Sequence, residues 1–339
     1  MNLSTAFVAY YGRQPRKEEL EDPAVIKVLR KEYKQLALPE SPQKANLMLR
    51  DFPEVKGENG VLHFGGNQMW FARKTQRLAG CGPVAAANVL ASLARQNPAV
   101  AAALNLHFLQ GSQISQPSYL QFMQRVYQTM RTLEIPLLNH LADASAKEKP
   151  KIPPSLGRGA AGFASGILRF AAKNGVALKA HTLLPGFSPY NKGLHFIMRG
   201  LQAGTPVVLL TARNKHTLWQ YNQNVNATPQ KAQALHSHFV TVAGVRPGPQ
   251  GPQLLVSSWG RMFVIEYTEL HQSWQWPTSV GAALLYFTMG ESLQQTTGQV
   301  IASYGILPAT MAKTVVGTLG LPLKLLAKPF KTTGTPNKG

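Results

Sequence analysis

The spacing of apolar positions divides the chain into a helix-rich first part and a strand-rich second part. Over 23–38, Val25, Leu29, Tyr33 and Leu36 recur at helical spacing and Asp22 precedes Pro23 as a cap would, which predicts a helix. Residues 39–66 are broken by three prolines and several glycines and read as a connector. Helices are expected from about Gly82 to Gln96 and from Pro98 to about Leu109. A third is expected over 117–133, where Tyr119, Phe122, Met123, Val126, Tyr127 and Met130 share a face, and a fourth over roughly 160–173, ending before Asn174-Gly175. Residues 140–158, with three prolines and mixed charges, read as a surface loop.

Beyond residue 175 the period changes. Val176–His181, Pro206–Thr211, His238–Val245, Gln253–Ser258, Met262–Tyr267 and Ala282–Thr288 read as strands, with a helix over 191–203 between the first two. Helices followed by strands predict an α+β fold in which helices pack on a mostly antiparallel sheet. The expected divisions are a helical extension and connector over 1–63, one main domain over 64–289, and an apolar, lysine-bearing extension over 290–339 with a disordered end.

Composition adds two constraints. The 339 residues carry a formal charge of +20, concentrated in 67–289, where 20 Lys and Arg face only 5 Asp and Glu. Such a field favours an anionic partner or membrane surface, or is only a basic surface with nonspecific affinity; the basic apolar C-terminal segment reads as a helix pair packed on the fold and broken at Pro322 and Pro329, or as a membrane-surface or partner-docking segment. No sequence motif for specific nucleic-acid binding is present. Second, the chain has one cysteine, which excludes an internal disulfide and multi-cysteine metal sites. With no secretory leader in the N-terminal sequence and no long apolar span, a cytoplasmic location is expected.

That cysteine, Cys81, lies in Gly-Cys-Gly-Pro-Val-Ala-Ala-Ala-Asn-Val-Leu at 80–90. Pro83 suits the first turn of a helix, so Cys81 falls at a helix N-terminus, where unpaired N–H groups and the dipole favour a thiolate. Gly80 and Gly82 would let a substrate backbone come close. The alternative is a small apolar side chain kept for packing. Of nine histidines, His238 is singled out because it opens the alternating strand His-Phe-Val-Thr-Val-Ala-Gly-Val, from where it can reach a helix end. His236 shares a face with it, but no third ligand is evident, and neither a metal nor a cofactor is expected. A further strand ends at Ser257-Ser258, and Trp259-Gly260 turns into the next, placing an indole to roof a hydrogen bond of His238.

A cysteine at a helix start, a histidine opening an alternating strand with glycine six residues on, and then Ser-Trp-Gly resemble the papain-like cysteine peptidase superfamily. The likeness is nearest to the bacterial double-glycine-peptidase-like branch, which shares a Gly-Cys-Gly-Pro nucleophile helix and a Gly-x-Pro-Val strand before the histidine. It spans about residues 64–288. The resemblance implies a papain-like fold with Cys81 as nucleophile and His238 as general acid and base. Ser257 stands where that superfamily has Asn or Asp to orient the imidazole, a departure that weakens the triad or leaves its role to another group. The oxyanion donor usually lies six residues before the cysteine; here Gln76 lies five before, with Gln68 behind it, and the Cys81 N–H supplies the second donor. Trp259, Gly80, Gly82 and Gln68 are the expected substrate-binding residues.

The implied activity is that of a cysteine peptidase or related thiol hydrolase, acting on a peptide or protein substrate through a thioester. Two alternatives stay open: acyl transfer by the same architecture, and a binding module that keeps the fold without the chemistry.

Overall fold

The structure, a computed structural model, describes residues 17–22, 25, 28, 46–110, 114–130, 133–134, 155–156, 159–185, 188–211, 216–223, 230–235, 238–274, 282–296 and 299. Apart from isolated positions, the helix expected over 23–38, the loop over 140–158 and the extension beyond 299 lie outside these residues, as does His236.

The described chain is α+β. Its helices are α1 (Lys17–Glu21), α2 (Lys74–Ala79), α3 (Cys81–Gln96), α4 (Pro98–Ala103), α5 (Gln116–Met130), α6 (Ala160–Lys173), α7 (Tyr190–Gln202) and α8 (Tyr267–Ser273). Its strands are β1 (Leu47–Met48), β2 (Glu54–Lys56), β3 (Leu62–Phe64), β4 (Ile114–Ser115), β5 (Leu133–Glu134), β6 (Ser155–Leu156), β7 (Leu178–Leu183), β8 (Val207–Leu210), β9 (His216–Gln220), β10 (Lys231–Leu235), β11 (Phe239–Gly248), β12 (Gly251–Ser258), β13 (Arg261–Glu266) and β14 (Ala283–Met289). The main sheet runs β10-β9-β13-β12-β11-β8-β14-β7, with β1 added to β11, and its pairings are antiparallel.

Both faces of this sheet are covered. Val208, Leu210, Phe239, Ala283 and Leu285 pack with α3, α5 and α6, whereas Val207, Leu209, Val240, Val242 and Leu284 pack with α7 and α8. Two covered faces explain why β8 reads as an unbroken Val-Val-Leu-Leu run and not as an alternation. Local chemistry sets the helix ends. Asn97 accepts from the backbone N–H groups of Ala99 and Val100, so its side chain caps α4, and Pro98 takes the first helical position. Beyond α6, Gly175 takes φ 76°, and the N–H groups of Gly175 and Val176 close back on Ala172 and Ala171.

The helices over 82–96, 117–133, 160–173 and 191–203 and the six strands fall within a few residues of expectation, whereas the helix from Pro98 stops at Ala103. Strands β9 and β10 were not anticipated: Lys-Ala-Gln-Ala-Leu of β10 is exposed at four of five positions and carries no apolar stripe.

Contacts of the fold cross both expected domain divisions. A cut at 63/64 would divide β3 inside its hairpin with β2, and β1 is already hydrogen-bonded to β11. At the other end, Thr296 is fully buried; its Oγ1 accepts from Leu178 N and donates to Leu178 O, satisfying the outer edge of β7. The described parts of both flanks therefore pack with the main sheet. Among the described residues no helix is long and apolar enough to cross a membrane. We predict that Thr296→Val, which leaves both Leu178 backbone groups unpaired, lowers stability in urea denaturation by about 1–3 kcal/mol.

Candidate active site

Helix α3 begins at Cys81, with Gly80 before it, and is buried from Gly82 through Ala94. Its alanines allow this close insertion between the sheet and α5 and α6. Cys81 is partly buried at the start of the helix and lines a small cleft with Gln68, Val84, Asn88, His238, Phe239, Thr241, Ser257, Ser258 and Trp259. The cleft thus brings together the one thiol and the histidine singled out in the sequence.

His238 is held from three directions. Its backbone is latched to the end of β8: His238 N donates to Thr211 Oγ1 at 2.9 Å, and Thr211 N and Oγ1 donate to His238 O at 2.9 and 3.1 Å. Its ring lies flat on Trp259, with centroids 4.6 Å apart and planes 15° off parallel. Its Nε2 lies 2.9 Å from Ser258 Oγ. With the proton on Nε2, the ring donates to Ser258 and the Nδ1 lone pair is free to act as a base.

Ser257 does not make the bond expected of it. Its hydroxyl donates to Phe64 O at 2.6 Å, and Asn88 Nδ2 approaches it at 3.5 Å. Consecutive strand residues point to opposite faces, and Ser258 is the one turned to the imidazole. A hydroxyl there orients the ring without contributing charge. Gln76, partly buried on α2, does not line the cleft; Gln68 does, on a 3₁₀ turn over 68–70, with Nε2 donating to Arg77 O at 2.8 Å and its second N–H uncommitted by that bond. Gly80 and Gly82 do not line the cleft. A Cβ at Gly80 would meet Gln76 O at 2.5 Å, and one at Gly82 would rest on Phe239 at 3.5 Å, so both glycines face the packed interior. Trp259 does line the cleft.

The electrostatics also depart from expectation. Burial pushes the Cys81 thiol up, against the backbone groups of Phe239, Gly82 and Cys81 that favour the anion. Burial likewise pushes His238 from 6.5 down to about 4. Both shifts favour the uncharged forms, and for the thiol desolvation outweighs the helix terminus.

The sequence reading missed Thr211 and the deeper residues Asn88 and Tyr119. Asn88 is 1% exposed. Its Oδ1 accepts from Tyr119 Oη and from Gly66 N, both at 2.9 Å, and its Nδ2 donates to Thr241 Oγ1 at 3.3 Å. The signal was a polar residue inside the small-residue run of the nucleophile helix. Among the described residues no group of three or more His, Cys, Asp and Glu side chains is placed to hold a metal.

No model of a known protein family matches the chain, and no curated protein matches it.

The low titration of His238 has a thermodynamic consequence. An unfolded chain takes up this proton near 6.5, the folded one only near 4, so the contribution to stability is complete above 6.5 and lost as pH falls toward 4. His195 and His216, also lowered by burial to about 4, act in the same direction. We expect the free energy of unfolding to decline between pH 6.5 and 4. His238→Gln should make that decline shallower by up to about 1.4 kcal/mol per pH unit, as read from urea titrations at stepped pH.

Proposed function

We propose that the chain is a thiol hydrolase of papain-like architecture that cleaves a peptide or related amide bond. The observation that carries this reading is the placing of Cys81, at a helix start, in one cleft with a desolvated imidazole whose Nε2 is held by Ser258 and whose face is covered by Trp259. The order of cysteine, histidine and strand-end residue along the chain supports the same reading.

In this mechanism the thiol and the imidazole meet the substrate uncharged. As Cys81 Sγ attacks the carbonyl carbon, its proton passes to Nδ1 of His238, and the carbonyl oxygen becomes an oxyanion. The backbone N–H of Cys81 and the free amide N–H of Gln68 receive that oxyanion, so Gln68 takes the part expected of Gln76. The imidazolium returns the proton to the leaving amine, leaving a thioester. Water then enters with His238 as base, releasing the acid and restoring the thiol. Trp259 and Ser258 keep the ring in one orientation through both halves.

The test uses p-nitrophenyl acetate, which requires no knowledge of the natural substrate. Wild type should show an acyl adduct on Cys81 by intact-mass measurement, with catalytic release of nitrophenolate. Cys81→Ala should abolish the adduct, His238→Ala should slow acylation by about a hundredfold or more, and Ser258→Ala should slow it by about three- to tenfold. An unreactive wild-type thiol would overturn the reading and leave a binding module of the same fold.

A further inference from the structure

We propose that Asn88 is a positioning residue that aligns the oxyanion-binding wall of the cleft with the Cys81–His238 pair; this rests on the thiol-hydrolase reading above. Asn88 lies seven residues, two helical turns, after Cys81 on the same buried helix. It neither accepts from nor donates to Cys81 or His238; its bonds go elsewhere. Its Oδ1 takes the N–H of Gly66, two residues before Gln68, at 2.9 Å. Its Nδ2 reaches Thr241 on β11 and Ser257 on β12 at 3.3 and 3.5 Å. Ser257 in turn donates to Phe64 O at 2.6 Å, gripping the same loop from the other side of Gly65. Tyr119 on α5 donates to Asn88 Oδ1 at 2.9 Å and fixes the amide's orientation.

Three parts of the cleft come from distant stretches of chain: the nucleophile helix, the strand ends near His238 and Ser258, and the 64–68 loop leading to Gln68. Asn88 lies on the first and is hydrogen-bonded to residues of the other two. The loop's backbone is drawn in so tightly that a Cβ on Gly65, at φ 79°, would meet Ser257 Oγ at 2.7 Å and the Asn88 amide at 2.9 Å. By contrast, His238 is held independently, by Thr211, Ser258 and Trp259. Loosening Asn88 should therefore shift the Gln68 wall and leave the thiol–imidazole pair in place.

Two reagents separate these parts, and each is read as the rate that is lost in Cys81→Ala, since the chain has one cysteine. Iodoacetamide alkylates the thiol by displacement and needs no oxyanion donor. Acylation by p-nitrophenyl acetate passes through a tetrahedral oxyanion and needs one. For Asn88→Ala, and for Tyr119→Phe and Ser257→Ala, which each remove one bond and keep the fold if Asn88→Ala does not, acylation should fall by about ten- to a hundredfold while alkylation stays within about twofold. Acylation and alkylation falling together, or neither changing, would overturn the assignment. A wild-type protein inert to acylation but with an ordinary alkylation titration would instead sink the thiol-hydrolase reading on which it stands.

Discussion

A carboxamide buried away from water has to find partners for its oxygen and its amide hydrogens, or the helix bearing it pays the desolvation penalty, on the order of 1–3 kcal/mol for each unmet group. Asn88 meets this requirement with groups from the Gly66 loop, α5, β11 and β12. Each of those segments also approaches the cleft or contributes to its wall. Fold stability and site geometry are thus secured by the same bonds. The helix can lie deep because Ala85, Ala86 and Ala87 admit the sheet and neighbouring helices, and that depth brings the amide within reach of all four partners.

The same burial governs the proposed chemistry. A helix N-terminus alone favours a thiolate, yet here desolvation raises the Cys81 thiol and lowers the His238 imidazole. Both shifts favour the uncharged pair, and in the proposed mechanism charge develops only when the carbonyl is attacked. A site arranged in this way relies on donors aimed at the oxyanion more than on a standing ion pair. The hydroxyl of Ser258 suits that proposal: it lies 2.9 Å from a ring that burial keeps neutral and that has little standing positive charge for a carboxylate to stabilise.

Much of the fold was legible in the sequence because its signals are local. The 3.6-residue spacing in α5, the Asn97-Pro98 break and the Asn174-Gly175 stop each depend on a few neighbouring residues. Strand β10 was not legible, since its residues are mostly exposed and it is held by pairing with β9. Nor were the flanks: Leu47–Met48 and Thr296 gain their places from strands more than a hundred residues away. Cys81 and His238, singled out from element ends, line one cleft. The choice between Ser257 and Ser258 turned on which hydroxyl points at the imidazole, and that between Gln76 and Gln68 on which segment reaches the cleft. Adjacent or near-adjacent residues of the same type are not separable by composition, only by direction.

Trp259 shows how local preference yields to the site. Ser258 pairs with Arg261 across a two-residue turn, with φ at 47° for Trp259 and 71° for Gly260. Positive φ at both central positions is the geometry that joins right-twisted antiparallel strands most tightly, and it favours Asn-Gly or Gly-Gly. A bulky indole in the left-handed region is disfavoured by sterics, by on the order of 1–3 kcal/mol. Glycine would relieve that strain and remove the ring that stacks on His238. Asparagine would fit the turn and leave the imidazole open to water. The tryptophan is held in this conformation by the packing it makes on His238 and, edge-on, on Phe263 at 6.2 Å. Strain at the turn and desolvation at the histidine are therefore two sides of one contact, and the tight hairpin is what delivers the indole to the imidazole face.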